Sequence, residues 1–281
     1  MQERVGFFSE AYVVVRKVSL YVILIGVLAC AMACDGWHRP LSMLIGAGIA
    51  AVAGAMVLLV RTSVTDLHRQ SHTARQAAAE AERHYVEVLR RVVRFVEGRD
   101  RYLAGHSENV GRQAGLIAAQ MGLPEDTCRK LSLAGELHDI GLLAVPQRIL
   151  EHVRFGVQEF RSVQEHAEAS HELLRPLEML ADVLPAIRHH HERFNGSGYP
   201  GGLEGEAIPL GARILAVADA YDAITHDRPH RPALSPVSAL RELRRCTPAG
   251  YDPDCVAALA QVMHMPALEQ MISADPAFAG G

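Results

Sequence analysis

The sequence predicts an all-α protein in three parts. These are two N-terminal transmembrane helices, a helical coiled-coil connector, and a helical bundle whose core is lined by histidines. Three observations lead there. Two long uncharged apolar runs open the chain, apolar residues then recur at alternating intervals of three and four, and the rest reads as amphipathic helical segments punctuated by proline and glycine, with no alternating strand pattern. The predicted divisions are a cytoplasmic N-terminus at 1–17, a transmembrane hairpin at 18–60, a linker at 61–85, a globular domain at 86–265 and a tail at 266–281.

The first apolar run, VSLYVILIGVLACAMAC, covers 18–34, and the second, LSMLIGAGIAAVAGAMVLLV, covers 41–60. At about 1.5 Å per residue the second matches a bilayer's hydrocarbon thickness and the first nearly does. Only DGWHRP, residues 35–40, joins them, which calls for a helical hairpin. Trp37 suits the membrane interface, and Gly46, Gly48 and Gly54 offer small surfaces for close helix packing. Arg4, Arg16 and Lys17 precede the first run and Arg61, Arg69 and Arg75 follow the second, so both ends are expected on the cytoplasmic side of a bacterial inner membrane. A rival reading cleaves the first run as a signal peptide near Ala31–Ala33. The second run still stops transfer, and the residues after it stay cytoplasmic.

The connector follows. Val64, Leu67, Ser71, Ala74, Ala78, Ala81, Tyr85, Val88, Val92 and Phe95 keep the three-four alternation without a slip. This is a seam of about four heptads, read as a weak parallel homodimer over 64–84 and as part of the globular core beyond Tyr85. Helical spacing continues through NVGRQAGLIAAQMG, EDTCRKLSLAGELHD, VQEFRSVQEHAEASHELLR, LADVLPAIRHHHE, ARILAVADAYDAIT and SPVSALRELRRC.

Charge and cysteine usage exclude several classes. A formal net charge of −4 argues against binding a nucleic acid polymer. The 5 cysteines include no C-x-x-C pair, which argues against a disulfide framework or a zinc–thiolate site. Histidine, with 15 residues, is over-used, whereas Lys17 and Lys130 are the only lysines.

The chemistry concentrates in five helical segments that carry His106, His138–Asp139, His166, His190–His191 and Asp219. One such residue is more often a satisfied core histidine or a cap; five segments offering nitrogen and oxygen ligands point to metal. A carboxylate bridges two cations where an imidazole cannot, so His138–Asp139 suits a pair of metals of the kind that activates water and stabilises an in-line phosphoryl displacement. Neighbouring residues on a helix diverge by about 100°, so His190 and His191 are read as serving different metals. Imidazole and carboxylate without thiolate favour iron or manganese.

HDIG at 138–141, HHHERFNGSGYP at 189–200, ADAYDAIT at 218–225 and DRPHRPALSP at 227–236 resemble the HD-GYP subgroup of the HD phosphohydrolases, over roughly residues 86–260. The resemblance implies an all-α dimetal phosphodiesterase that hydrolyses cyclic di-GMP to pGpG or GMP. It implies His106, His138, Asp139, His166, His190, His191 and Asp219 as metal ligands, with His138 and Asp139 at the catalytic centre. It also implies a substrate pocket shaped by Gly198, Tyr199 and Pro200. Arg193 and Arg228 are weaker candidates for a phosphate contact, and Glu192 for orienting a ligand imidazole. Tyr221, Asp222, His226 and His230 are read as structural. Tyr102 stands where a third metal's glutamate would be, which leaves two metals.

Two departures from the family pattern open a second reading. Leu142 replaces the lysine of HDIGK, and Asn195 replaces an aspartate. Loss of one charged transition-state contact costs ~3–4 kcal/mol. The chain is then either a phosphodiesterase or a feebly active cyclic-dinucleotide receptor; hydrolysis of a different cyclic dinucleotide is a third option. The membrane helices and the seam are expected to relay signals from signalling protein partners.

Overall fold

A computed structural model describes residues 39–98, 102–146, 156–228 and 231–263, with isolated positions 23, 26 and 27. Apart from those three positions the predicted first span at 18–34 lies outside these, as do Trp37, His230 and the tail. The chain divides into two compact units, 1–80 and 81–281.

The second apolar run and the connector form one helix, α1 (Arg39–Glu97), with no interruption near residue 60 or 85. It is the one helix among the described residues long and apolar enough to cross a membrane. Met43, Leu44, Val52, Leu58 and Leu59 are exposed along its first part.

The second unit is helical, and its only described extended pairings are the isolated bridges Asn195–Glu204 and Arg228–Arg231. Its helices after α1 are α2 (His106–Gln120), α3 (Glu125–Leu137), α4 (Val157–Gln164), α5 (His166–Leu174), α6 (Leu184–Arg188), α7 (Leu210–Thr225), α8 (Pro236–Arg245) and α9 (Pro253–Val262). Local signals set several of their ends. Pro236 and Pro253 stand at helix starts, where a missing N–H costs nothing. Ser235 Oγ accepts from Ser238 N, and the Asp252 carboxylate accepts from Asp254 N and Cys255 N.

The central helix α7 packs against α2, α6, α8 and α9, and α2 packs against α3. Ile117, Leu137, Ile187, Ile214, Leu215, Leu240 and Leu259 fill the core between them. Two glycine contacts set how closely the site-bearing elements approach. A Cβ on Gly135 would stand 2.7 Å from the Gly111 Cα, so α2 and α3 cross backbone to backbone one turn before His138. A Cβ on Gly141 would stand 2.1 Å from the His166 carbonyl oxygen, so the turn after His138–Asp139 lies directly on the start of α5.

Three expectations are corrected. The segment 157–174 is two helices broken at Glu165 rather than one. The run 180–192 has only the short α6 as α-helix, and His189, His190 and His191 lie in the turn after it. The heptad seam does not enter the core beyond Tyr85. Val86, Leu89 and Val93, one position along from it, are the buried stripe of α1, while Tyr85, Val88, Val92 and Phe95 stay exposed. A period alone does not say which of two neighbouring stripes the domain covers.

Candidate metal centre

The imidazoles are aimed by the backbone that carries them. His138 Nδ1 bonds Gly135 O at 2.8 Å, His190 Nδ1 bonds Ile187 O at 2.6 Å, and His166 Nδ1 bonds Val163 O. In each case the ring takes the carbonyl three residues back, which a continuing helix would have offered to a backbone N–H, and the helix ends or breaks there. With Nδ1–H donated, the lone pair on Nε2 points the other way, toward the common centre. The Nε2 atoms of His138 and His190 are buried and find no hydrogen-bond partner in the protein.

Two groups of donors result. His106, His138 and Asp139 form one, and Asp139, His166, His190 and His191 the other; within each the ligand atoms lie within 4.8 Å of one another. Asp139 belongs to both. Its Oδ2 is 3.4 Å from His138 Nε2 and its Oδ1 3.1 Å from His166 Nε2. Asp219 joins the first group's edge, 3.5 Å from His106 Nε2. His190 and His191 do not diverge as neighbours on a helix would: outside a helix their ring centroids are 4.0 Å apart and both belong to the second group. His191 Nε2 lies 3.1 Å from His166 Nε2, a spacing that two lone pairs tolerate only with a proton or a cation between them. This donor set fits two divalent cations bridged by one carboxylate.

The electrostatics differ between the imidazoles within each group. Burial by itself lowers the His106 pKa, but the Asp222 hydrogen bond and the charges of Asp219 and Asp139 outweigh it and raise it to about 9. Burial lowers the pKa of His138 to about 4. Burial and the neighbouring His190 hold His191 well below the ordinary imidazole value. Burial would raise the Asp139 carboxyl, yet His138, His166 and His190 hold it well below the usual carboxylate range.

Asp222, read from sequence as structural, lies directly against a candidate ligand, a contact that reading did not foresee. Its buried Oδ2 accepts from His106 Nδ1 at 2.7 Å, the carboxylate–imidazole pairing that fixes a ligand's tautomer. The available signal was its spacing of three from Asp219, which puts both carboxylates on one face of α7.

The glycine-rich turn is built differently from the expectation. The Glu192 carboxylate accepts from Gly201 N at 2.6 Å, Leu203 N at 3.1 Å and His189 Nδ1 at 3.2 Å, so it ties the turn together and touches no ligand imidazole of the two groups. Gly198 packs its Cα directly on the backbone of Glu192 and Arg193: a Cβ there would stand 2.3 Å from Arg193 N, so only glycine fits. The turn does deliver Tyr199 to the site, its ring centroid 4.8 Å from that of His191, with Pro200 following across a cis bond. Burial raises the Tyr199 pKa, with Asp139 and Asp219 adding to it, so the hydroxyl stays neutral. Arg193 lies over the Tyr251 ring at 5.1 Å. Arg228 exchanges backbone hydrogen bonds with Arg231, whose guanidinium holds the carbonyls of Ala223 and Ile224 at the end of α7. Asn195 Oδ1 accepts from Ser197 N at 3.1 Å and Ser197 Oγ at 2.7 Å, an acceptor role that needs no charge.

Residues 90–255 match the model of a family described as HD domain. A cyclic di-GMP phosphodiesterase response regulator, RpfG, of Xanthomonas campestris pv. campestris is 36% identical over 213 residues, 70% of this chain and 56% of that protein. A 3'3'-cGAMP-specific phosphodiesterase of Vibrio cholerae is 35% identical over 173 residues, 61% of this chain and 38% of that protein. The chain thus spans about half or less of the length of these curated relatives. A crystal structure of a cyclic GMP-AMP-specific phosphodiesterase from V. cholerae shares the fold at a TM-score of 0.52 and 20% identity, over 67% of this chain and 51% of that one.

Proposed function

Because the chain belongs to the HD domain family, we propose that its second unit is a metal-dependent phosphodiesterase that hydrolyses cyclic di-GMP to pGpG or GMP. The observation that carries this reading is the convergence of lone pairs on two donor groups that share Asp139. The relatives' names supply the substrate class. His106, His138, Asp139 and Asp219 would hold one divalent cation and Asp139, His166, His190 and His191 the other, iron or manganese by donor type. When bound, such a pair supplies Lewis acidity at the phosphoryl oxygens and lowers the pKa of a water nucleophile.

The chain's own residues do the rest. Carbonyls 135, 163 and 187 hold three imidazoles in the ligand tautomer, and Asp222 holds a fourth. Glu192 fixes the turn that brings Tyr199 beside His191, where a neutral phenol can stack or donate to a bound nucleotide. Arg193 and Arg228 remain proposals for a phosphate contact that needs side-chain movement.

A second reading, a receptor with feeble turnover, rests on Leu142, three residues after Asp139, whose side chain offers neither charge nor donor. Asn195 no longer favours it, since its observed acceptor role is served by an amide as well as by a carboxylate. For the first unit we propose anchorage in a bacterial inner membrane, with the second unit in the cytoplasm, a homodimer through the heptad seam, and signalling protein partners upstream.

The test is to load the full chain anaerobically with iron or manganese and incubate it with cyclic di-GMP and, separately, 3'3'-cGAMP, following products by chromatography. Metal-dependent pGpG or GMP that is absent from Asp139→Ala supports the enzyme. Stoichiometric nucleotide binding without product favours the receptor, and product from 3'3'-cGAMP alone moves the substrate.

A further inference from the structure

Between residues 81 and 97, α1 carries two apolar stripes. Val86, Leu89 and Val93 are 5%, 8% and 7% exposed and belong to the domain core. On the same side, Glu82 accepts from the backbone N–H groups of Glu178 and Met179, and Arg90 pairs with Glu136. The second stripe is Tyr85, Val88, Val92 and Phe95, which are 48%, 42%, 36% and 73% exposed. At about 100° per residue the two stripes are centred roughly a third of a turn apart. The domain that covers the first therefore leaves the second open.

We infer that this open stripe is the principal contact between two copies of the chain, holding two catalytic domains side by side. The inference rests on the homodimer reading and changes where the dimer is held. A three-four alternation is the repeat that packs best against another helix of the same repeat, because each side chain then enters a hole made by four residues of the partner. The alternation runs through 85, 88, 92 and 95 in the register that the sequence keeps from Val64. Size decides where the contact is strongest. From Ser71 to Ala81 the seam offers only serine and alanine, whereas Tyr85, Val88, Val92 and Phe95 are all large. Buried apolar area scales with side-chain size, so most of what the seam can bury lies beside the domain. A second copy is self-complementary to the stripe. Glu82 and Leu89, which flank it on one side, are already engaged by the chain's own domain, so the partner must approach from the other side, past Arg91.

In a parallel, in-register pair identical seam residues face each other, which single cysteines read directly. The full chain in detergent would carry Val88→Cys, Phe95→Cys, Ala74→Cys or the off-seam Arg94→Cys, each compared with the parent chain after mild oxidation. The inference expects disulfide-linked dimer at Val88→Cys and Phe95→Cys beyond the parent level, and none beyond it at Arg94→Cys. Light scattering of Val88→Asp and Phe95→Asp, with helicity unchanged by circular dichroism, should show monomer. Cross-linking at Ala74→Cys but not at 88 or 95 would overturn the inference and leave a dimer held elsewhere. A parent chain that is monomeric by light scattering, with no variant cross-linking, would overturn the dimer reading as well.

Discussion

The two donor groups share one carboxylate but differ in what surrounds the imidazole at the edge of each. Around His106 the neighbours are acids: Asp139, Asp219 and, on the far side of the ring, Asp222. Around His191 the neighbours are imidazoles, His166 and His190. Against the pull of burial, acids raise the His106 pKa, whereas burial and His190 hold His191 well below the ordinary imidazole value. The other imidazoles run the opposite way: burial lowers His138 to about 4, while for His166 burial is outweighed by the hydrogen bond to Asp139, which raises it. Each group thus combines an imidazole that favours a proton with one that disfavours it.

The largest expected effect comes from breaking what the groups share. Asp139→Ala should remove metal from both, measured as loss of two bound ions per chain by elemental analysis, with loss of any hydrolysis. A variant that kept one ion would show that the bridging carboxylate serves a single group.

Next is the contact that presses the groups together. Gly141→Ala puts a methyl into the His166 carbonyl and beside Ser170, whose Oγ accepts from Gly141 N at 2.8 Å. Overpacking of this kind costs ~1–3 kcal/mol, and α5 must shift with His166 on it. A lowered midpoint in urea and weaker binding in the second group are expected; unchanged stability would mean the turn relaxes freely.

His191→Ala separates the groups. It removes a ligand from the second alone, so one ion per chain should stay tightly bound while the other dissociates on dialysis.

The smallest effect is the most specific. Asp222→Asn keeps the shape but removes the charge that holds His106 Nδ1–H, and loss of such a partner typically weakens metal binding by about 10–100-fold. With the His106 pKa at about 9, that imidazole is protonated in the empty site at pH 8 and must lose its proton to bind metal. Apparent affinity of the first group therefore rises with pH until about 9 and is weakened below it. Calorimetry of metal binding at pH 8 in two buffers of different ionisation heat should show proton release in the parent chain and less in Asp222→Asn. Equal release from both would remove Asp222 from this role.

Much of this site was legible in one dimension. Imidazole and carboxylate recurring in five helical segments mark candidate ligands, and an all-α pattern follows from period and punctuation, both local properties of the chain. What the sequence could not say was which candidate ligands come together. It put His190 and His191 on a helix and so on different metals; the ring of His190 instead takes the Ile187 carbonyl, the helix stops, and both rings turn to one group. For Asp222 the sequence offered only the spacing from Asp219, since its partner His106 lies 116 residues away. Glu192 was misread because a carboxylate beside histidines suggests a ligand's support, while the groups that claim it are backbone N–H groups nine and eleven residues on. Along α1, composition by itself determined a long helix with an apolar heptad. Only the tertiary structure decided that the domain covers the neighbouring stripe and leaves the heptad open. The physical reason is common to all of these: helix period and ligand chemistry are fixed by nearest neighbours, whereas the sharing of ions, carboxylates and faces depends on how closely elements distant in sequence approach. Here that closeness is set by the glycine contacts at 111, 135 and 141.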